Sequence, residues 1–331
     1  MLFIPVLLIA CLLDLLFGDP RWFPHPVRLI GWLAVKTERF TRSLPLGERN
    51  SGRLAVVIIL LVTGICCGLF LLLFYQLPQP AFSAGAAFIL YTTIAARDLV
   101  GHACQVGTAL TTDLTTARYA ISMIVGRDTA EMDESAIIRA CVESVAENMS
   151  DGIIAPLFWA TVGAMAGLAM GGMWPVVWAV MTAMLYKAVN TMDSMFGYKN
   201  EQYFYFGSCP ARLDDLINFL PARLSGLAIV SAAPFCGCSL AAAWKILFRD
   251  HARHTSPNAG WPEAAMAGAL GIQLGGDSRY FGKTVTKPVM GDTVNLPEIK
   301  HILQANRLIL FASLLCLLFL LFIFWLTRLF F

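Results

Sequence analysis

The chain has 331 residues, of which 57% are apolar and only 14% charged, with a net charge of +2 and a mean hydropathy of +0.66. That composition excludes an ordinary soluble domain, so lipid must be the solvent for much of the molecule. The small charge, dispersed among aromatics and acids, gives no warrant for a nucleic-acid partner.

Four segments reach or approach the roughly 20 largely uncharged residues that a transmembrane helix needs: 54–76, 152–170, 224–247 and 308–326. Three shorter ones, 1–17, 81–96 and 175–186, are expected as tilted spans, interfacially capped spans or tight hairpins. The first carries Asp14, lacks a basic leader region and runs into Gly18-Asp19-Pro20 instead of a small-residue cleavage site, so it is read as retained. The predicted fold is all-α: a polytopic integral membrane helical bundle with amphipathic helices and long cytoplasmic loops, one domain over residues 1–331.

Lys and Arg mark the cytoplasmic side, and they concentrate at 21–53, 97–139, 187–223 and 245–307. Functional loops are accordingly placed at about 18–53, 97–151, 187–223 and 248–307. A single crossing by 224–247 would put the most basic loop outside. Pro234 and Gly237 in its middle predict a break instead, which keeps that loop cytoplasmic. The nine cysteines lie without partner histidines at metal spacing and read as small buried hydrophobes.

In chain order, the first constellation is the proline-stiffened stretch Asp19 to Arg28, which presents His25 and Arg28 either to a ligand or as part of an interfacial turn anchored by Trp22. Next, Glu143, Glu147 and Asp151 recur every four residues with Asn148 beside them, so a helix would stack three carboxylates on one face. Their repulsion calls for a compensator such as Mg²⁺ unless the face is simply solvated. Lys187, Asn190, Asp193 and Ser194 share another helical side, followed by Lys199, Arg212, Asp214, Asp215 and Arg223, a set that suits phosphate or an ordinary surface cluster. His251, His254, Ser256 and Asn258 lack the HExxH arrangement and, being rich in donors, suit an oxyanion. Gly276 to Thr284 imitates a P-loop but has five residues between its glycines where four are required. It is rejected as a Walker A motif, with Lys283 kept as a phosphate contact.

At these residues the chain resembles the adenosylcobinamide-phosphate synthase family of cobalamin biosynthesis (CobD/CbiB). The resemblance runs from Asp14 to about Gly291. It rests on Gly18-Asp19-Pro20 with His25-Pro26-Val27, Ser144 to Asn148 with Asp151-Gly152, and Asn190-Thr191 with Asp193-Ser194-Met195 and Gly197-Tyr198. It continues through Ala211 to Asp215, Pro221-Ala222-Arg223, Ser256 to Gly260 and Leu274-Gly275-Gly276. The resemblance implies a multi-pass enzyme of the bacterial inner membrane that joins adenosylcobyric acid, through a propionate carboxylate, to aminopropanol or its O-phosphate. ATP would be consumed with Mg²⁺, the corrinoid would be substrate, and the lipid bilayer and other late cobalamin-assembly enzymes would be partners.

On that chemistry, Glu143, Glu147 and Asp151, helped by Asp193, are expected to hold Mg²⁺, while Lys199, Arg212 and Arg223 neutralise phosphate charge. His251 or His254 would deprotonate the amine. His25, Arg28, Asn148, Asn190, Ser256, Asn258 and Lys283 are expected contacts to substrate or phosphate, with Asp214 and Asp215 as further candidates. A membrane transporter of a corrinoid or metal ion and a non-catalytic AmpE-like membrane sensor are the rival readings. Asp14, alone within an apolar core, is poor provision for a charged pathway.

Overall fold

The computed structural model describes every residue except Met1, Arg21, Phe23, Lys199 and Phe281. Helices α1 (Phe3–Phe17), α2 (Pro26–Arg42), α3 (Glu48–Tyr75), α4 (Gln79–Tyr91), α5 (Ala96–Leu110), α6 (Leu114–Ser122) and α7 (Glu134–Met149) come first. A π-turn, Ser150–Ile154, joins α7 to α8 (Ala155–Gly167), and the continuous helix runs Glu134–Met170. Then come α9 (Trp174–Phe196), α10 (Ser208–Ile217), α11 (Phe219–Ala232), α12 (Leu240–Asp250) and α13 (Gly260–Leu270). An antiparallel hairpin of β1 (Leu274–Tyr280) and β2 (Lys283–Met290) precedes the last helix, α14 (Ile299–Arg328).

As the composition predicts, this is a helical membrane protein. Glu48–Tyr75, Glu134–Met170, Phe219–Cys236 and Ile299–Arg328 are long and apolar enough to cross a bilayer. On α3 the pattern separates two solvents. Val57, Leu61, Ile65, Leu69 and Leu73 are exposed, whereas Ile59, Thr63, Cys67 and Leu71, two residues out of phase, are buried. A two-residue offset is more than half a helical turn, so one side meets lipid and the other meets protein.

The expected break near Pro234 is present. After α11 a 3-10 turn, Ala233–Cys236, leads to Gly237 at φ +70°, and Ser239 caps α12 by accepting the Ala242 N–H at 3.1 Å. Helix α9 is longer than the apolar run of 175–186 suggests, because Lys187, Asn190 and Asp193 continue the same helix to Phe196.

Between α13 and α14 the hairpin adds a short pair of strands to the helical fold. Its second strand alternates in Thr284-Val285-Thr286-Lys287-Pro288-Val289, with Lys287 and Val289 turned inward and Pro288 exposed, a period-2 pattern of β-branched residues.

Two compact units make up the chain. The first comprises Met1–Ala95, Ala155–Asn218 and Phe319–Phe331, and the second Ala96–Ile154 and Phe219–Leu318. Within the first, α8 and α9 touch backbone to backbone: a Cβ on Gly163 would lie 2.3 Å from the Trp178 carbonyl oxygen, and one on Gly167 2.6 Å from that of Trp174. Small residues four apart permit such an approach. Within the second, α13 packs against α11 and α12, and the hairpin and α13 both reach α7.

Candidate functional site

A cluster of ionisable side chains lies in the second unit, where α7, α13 and the hairpin meet. Glu143 on α7 is its fixed point. Its Oε2 forms an ion pair with Arg127, and its Oε1 accepts the Gly275 N–H at 2.7 Å. The pair is buried, with 10% of the arginine and 5% of the glutamate side chain exposed. Arg127 also donates to Ser278 Oγ at 3.0 Å. The loop carrying Arg127 is pinned to the hairpin by Asp128, whose N–H donates to the Arg279 carbonyl and whose carboxylate accepts the Gly282 N–H.

Gly275 explains part of the Leu-Gly-Gly motif. It sits at φ +85°, where a Cβ would meet the Pro288 carbonyl oxygen at 2.3 Å, and the strand register slips between Leu274 and Gly276. A bulge with glycine in a left-handed conformation re-aims the backbone. Here it aims an N–H at Glu143.

Around this pair stand Glu147, one turn along α7, Glu263 in the first turn of α13, Lys287 on β2 and His254. Glu147 is solvent-accessible and feels the charges of Lys287, Glu143 and Arg127. Glu263 is buried, and His254 Nε2 lies 3.7 Å from its Oε1. Burial, then the charges of Glu143 and Glu147, push the Glu263 carboxyl well above the ordinary carboxylate range. Burial, then the nearby Lys287 ammonium, hold His254 below its ordinary value, so this imidazole is neutral at pH 7. Burial also opposes the charge on Lys287, but its hydrogen bond to Tyr280 and the Glu143 carboxylate keep it above its usual value. Burial likewise opposes Arg127, and Glu143 outweighs it. Three carboxyls thus face two permanent cations. Burial among like charges favours the protonated form of Glu263.

Beside Arg127 opens a cavity of about 590 Å³, lined among others by Arg139, Asp277, Ser278, Arg279 and Gly275. Its walls carry both signs of charge. A small polar molecule would enter there next to the Arg127–Glu143 pair.

The residues singled out in the sequence divide between the two units. Glu143, Glu147 and His254 belong to the cluster. Ser256 and Asn258 build it indirectly: Ser256 Oγ accepts the N–H groups of Asn258 and Ala259, and the Asn258 carbonyl accepts that of Trp261, which starts α13 and places Glu263. Asn148 donates to the Ser144 carbonyl and hydroxyl oxygens. Asp151 falls inside the π-turn, which interrupts the four-residue phase of the acidic strip. His251 Nδ1 lies 2.9 Å from the Leu247 carbonyl oxygen and its ring packs on Trp261, 4.1 Å between centroids. Arg223 lies over Phe219 and Trp261. Lys283 is exposed on the hairpin, and Lys287 is the lysine turned toward the acids.

In the first unit, His25 Nε2 stands 3.1 Å from Asp19 Oδ1 and its carbonyl accepts the N–H groups of Arg28 and Leu29, while Arg28 donates to the Pro20 carbonyl. The Gly-Asp-Pro and His-Pro-Val motifs therefore lock one turn. Asn190 accepts from Lys187 at 3.4 Å. Asp214 accepts from Asn218, which accepts from Tyr186. Arg212 and Asp215 are exposed, Asp193 accepts the Gly197 N–H through its carbonyl, and Lys199 lies outside the described residues.

Of the carboxylates expected to hold Mg²⁺, Glu143 gives its two oxygens to Arg127 and Gly275, and among the described residues no group of three or more His, Cys, Asp or Glu side chains is arranged to hold a metal ion. Arg127, Glu263 and Lys287 were not anticipated. Lys287 was legible in the alternation of β2 and Glu263 in its position just past the Ser-Pro-Asn turn, but Arg127 sits in an aperiodic turn without a sequence signal.

Comparison with known proteins agrees with this chain-wide arrangement of motifs. The family model described as "CobD/Cbib protein" matches residues 7–309. The "Cobalamin biosynthesis protein CobD" of Desulfotalea psychrophila is 47% identical over 98% of both chains. Its namesake in Geobacter metallireducens is 48% identical over 87% of this chain and 86% of its own. The "Cobalamin biosynthesis protein CbiB" of Salmonella typhi is 42% identical over 93% of each. No solved structure matches.

Proposed function

The chain belongs to the CobD/CbiB family, and from that membership, taken with the buried charge cluster, we propose that it is an amide-forming ligase of cobalamin biosynthesis. It would join a propionate carboxylate of adenosylcobyric acid to aminopropanol or its O-phosphate, giving adenosylcobinamide or its phosphate. A carboxylate and an ammonium do not condense at neutral pH, because neither is reactive in its charged form. ATP, entering as its Mg²⁺ complex and so bringing the ion as part of a substrate, would convert the carboxylate to an acyl phosphate.

The observation that carries the reading is the cluster of Arg127, Glu143, Glu147, Glu263 and Lys287 beside a polar cavity. Arg127 and Lys287 supply fixed positive charge at a site partly shielded from water, where it stabilises phosphoryl oxygens more than it would in bulk solvent. The carboxyls supply acceptors for an ammonium and a place for its proton. The helices long enough to span a bilayer fit a multi-pass protein of the bacterial inner membrane, where it would meet other late cobalamin-assembly enzymes.

The test is mass spectrometry of a reaction containing the purified protein in detergent, adenosylcobyric acid, ATP, Mg²⁺ and either amine. An ATP-dependent product with the mass of the amide is expected. Folded protein that forms no such product with either amine overturns the ligase reading.

A further inference from the structure

We infer that the exposed face of α2 is a docking surface for anionic phospholipid headgroups, in the leaflet that surrounds the start of α3. The surface belongs to the first unit and stands whether or not the ligase reading does.

Helix α2 divides cleanly into two faces. At about 100° per residue, Arg28, Leu29, Trp32, Lys36, Arg39 and Phe40 fall within an arc of about 120°, and all six are exposed. Trp32 is 62% exposed, Leu29 58% and Phe40 56%. Ile30, Ala34, Thr37 and Thr41 occupy the opposite side and are buried, and α2 packs against α3 and α9. A stripe of three cations and three large apolar side chains suits neither water nor hydrocarbon. Water would leave the tryptophan, leucine and phenylalanine solvated, and hydrocarbon would strand the charges. The headgroup layer accepts both, with rings and stems in the acyl boundary and cationic ends among the phosphates.

The packing holds α2 at that level. Arg42, the last residue of the helix, pairs with Glu38 one turn back and with Glu48 in the first turn of α3, and it donates to the Gln202 carbonyl at 2.9 Å. Helix α3 begins with Glu48, Arg49 and Arg53 and exposes apolar side chains from Val57 onward, so its first turns pass from polar surroundings to lipid. The C-terminus of α2 is tied to that boundary. Phe204 and Tyr205 are also exposed, and the Arg49 guanidinium lies over the Tyr205 ring at 5.9 Å, which repeats the pairing of aromatic and cation beside α3.

The charge on the stripe has one sign. Glu38 is the acid of α2, and it lies off the stripe against Arg42. Lys36 stands over the Trp32 ring at 5.8 Å. Among the described residues neither Lys36 nor Arg39 has a carboxylate partner. A headgroup of net negative charge supplies the missing anion, whereas a zwitterionic headgroup brings a cation of its own.

The test uses the full chain in vesicles of phosphatidylcholine containing a fixed fraction of phosphatidylglycerol, with bromines on the acyl chains of one lipid or the other. The quenching that W32F loses isolates Trp32 from the other tryptophans. At low salt, brominated phosphatidylglycerol should quench Trp32 more than brominated phosphatidylcholine does at the same mole fraction, and the advantage should shrink as salt rises. K36Q/R39Q, which alters only exposed positions, should lower the relative association constant for phosphatidylglycerol several-fold, toward one. The salt titration reads the same charges on the unaltered protein.

Quenching of Trp32 by neither lipid would set the face against water or a second copy of the chain and overturn the docking surface. Equal quenching by both lipids, or an advantage for phosphatidylglycerol that survives both high salt and K36Q/R39Q, would overturn the selection of anionic headgroups. Neither reading depends on turnover, so failure here is distinct from failure of the ligase assay.

Discussion

Arg127 and Glu143 form an ion pair in which each partner has been taken out of water, and such a pair is held by what surrounds it as much as by its own attraction. Gly275 N–H and Ser278 Oγ complete the hydrogen bonding. Removing one partner strands the other, which typically costs about 3–5 kcal/mol. R127A should therefore lower the melting temperature in detergent sharply, whereas the double variant R127M/E143M, which strands nothing, should recover much of the loss. Melting the three proteins side by side checks this, and equal melting of R127A and wild type would mean that the pair is already solvated. Asp250 is the second buried acid whose charge is anchored. Burial raises its proton affinity, but Arg249, the Gly291 N–H and Arg253 outweigh burial and leave it below the ordinary range. A carboxylate with a depressed native value contributes stability that is full above its unfolded value, about 3.9, and is lost as pH falls through the lower native value. D250N should accordingly be less stable than wild type at pH 7, and the gap should narrow below about pH 4, as read by unfolding at several pH values. Glu143 and Glu147 stood out in the sequence because acids recur there at helical spacing in an apolar chain. Their partner Arg127 did not, since no period links a turn residue to a helix sixteen positions later.

At the scale of elements, hydropathy located the helices because the physics that writes them is local: an apolar run must satisfy its own backbone in lipid, and only a helix does so within one segment. Pro234 and Gly237 announced the break between α11 and α12 for the same reason, one by a missing N–H and the other by its φ of +70°. The hairpin was hidden. Its strands are short, its bulge depends on Gly275 meeting Glu143 across 132 positions, and glycine runs read equally well as loop. Where two helices touch, the determining residue is again the small one. A Cβ at Gly163 would lie 2.3 Å from both the Trp178 carbonyl oxygen and Thr182 Oγ1, so G163V must separate α8 from α9. Overpacking of this kind costs about 1–3 kcal/mol. A reduced melting temperature is expected for G163V, with an effect near zero for a valine at Gly68, whose Cβ position meets nothing within 4 Å. Equal losses at both sites would show that valine disfavours the helix generally and that close contact is not the cause.

For the whole molecule, the charge distribution and the break at Gly237 bear on which side of the membrane the proposed reaction would take place. The proposed ligase would meet ATP and its corrinoid substrate in the cytoplasm, and the basic stretch 245–307 carries the signature of that side. The hairpin lies within that stretch, and its exposed Lys283 is a reporter that the cluster residues cannot be without disturbing them. In K283C, a membrane-impermeant maleimide should label residue 283 in inside-out vesicles and leave it untouched in right-side-out spheroplasts, with peptide mass spectrometry separating this site from the nine native cysteines. A cysteine at Gly172, in the uncharged connection between α8 and α9, should show the reverse. Labelling of residue 283 from outside would place the Glu263 cluster, which shares the second unit with the hairpin, on the side without ATP. A transported ligand would then suit the charged cavity better than an acyl phosphate, because a group that must be phosphorylated cannot be activated where no phosphoryl donor is present.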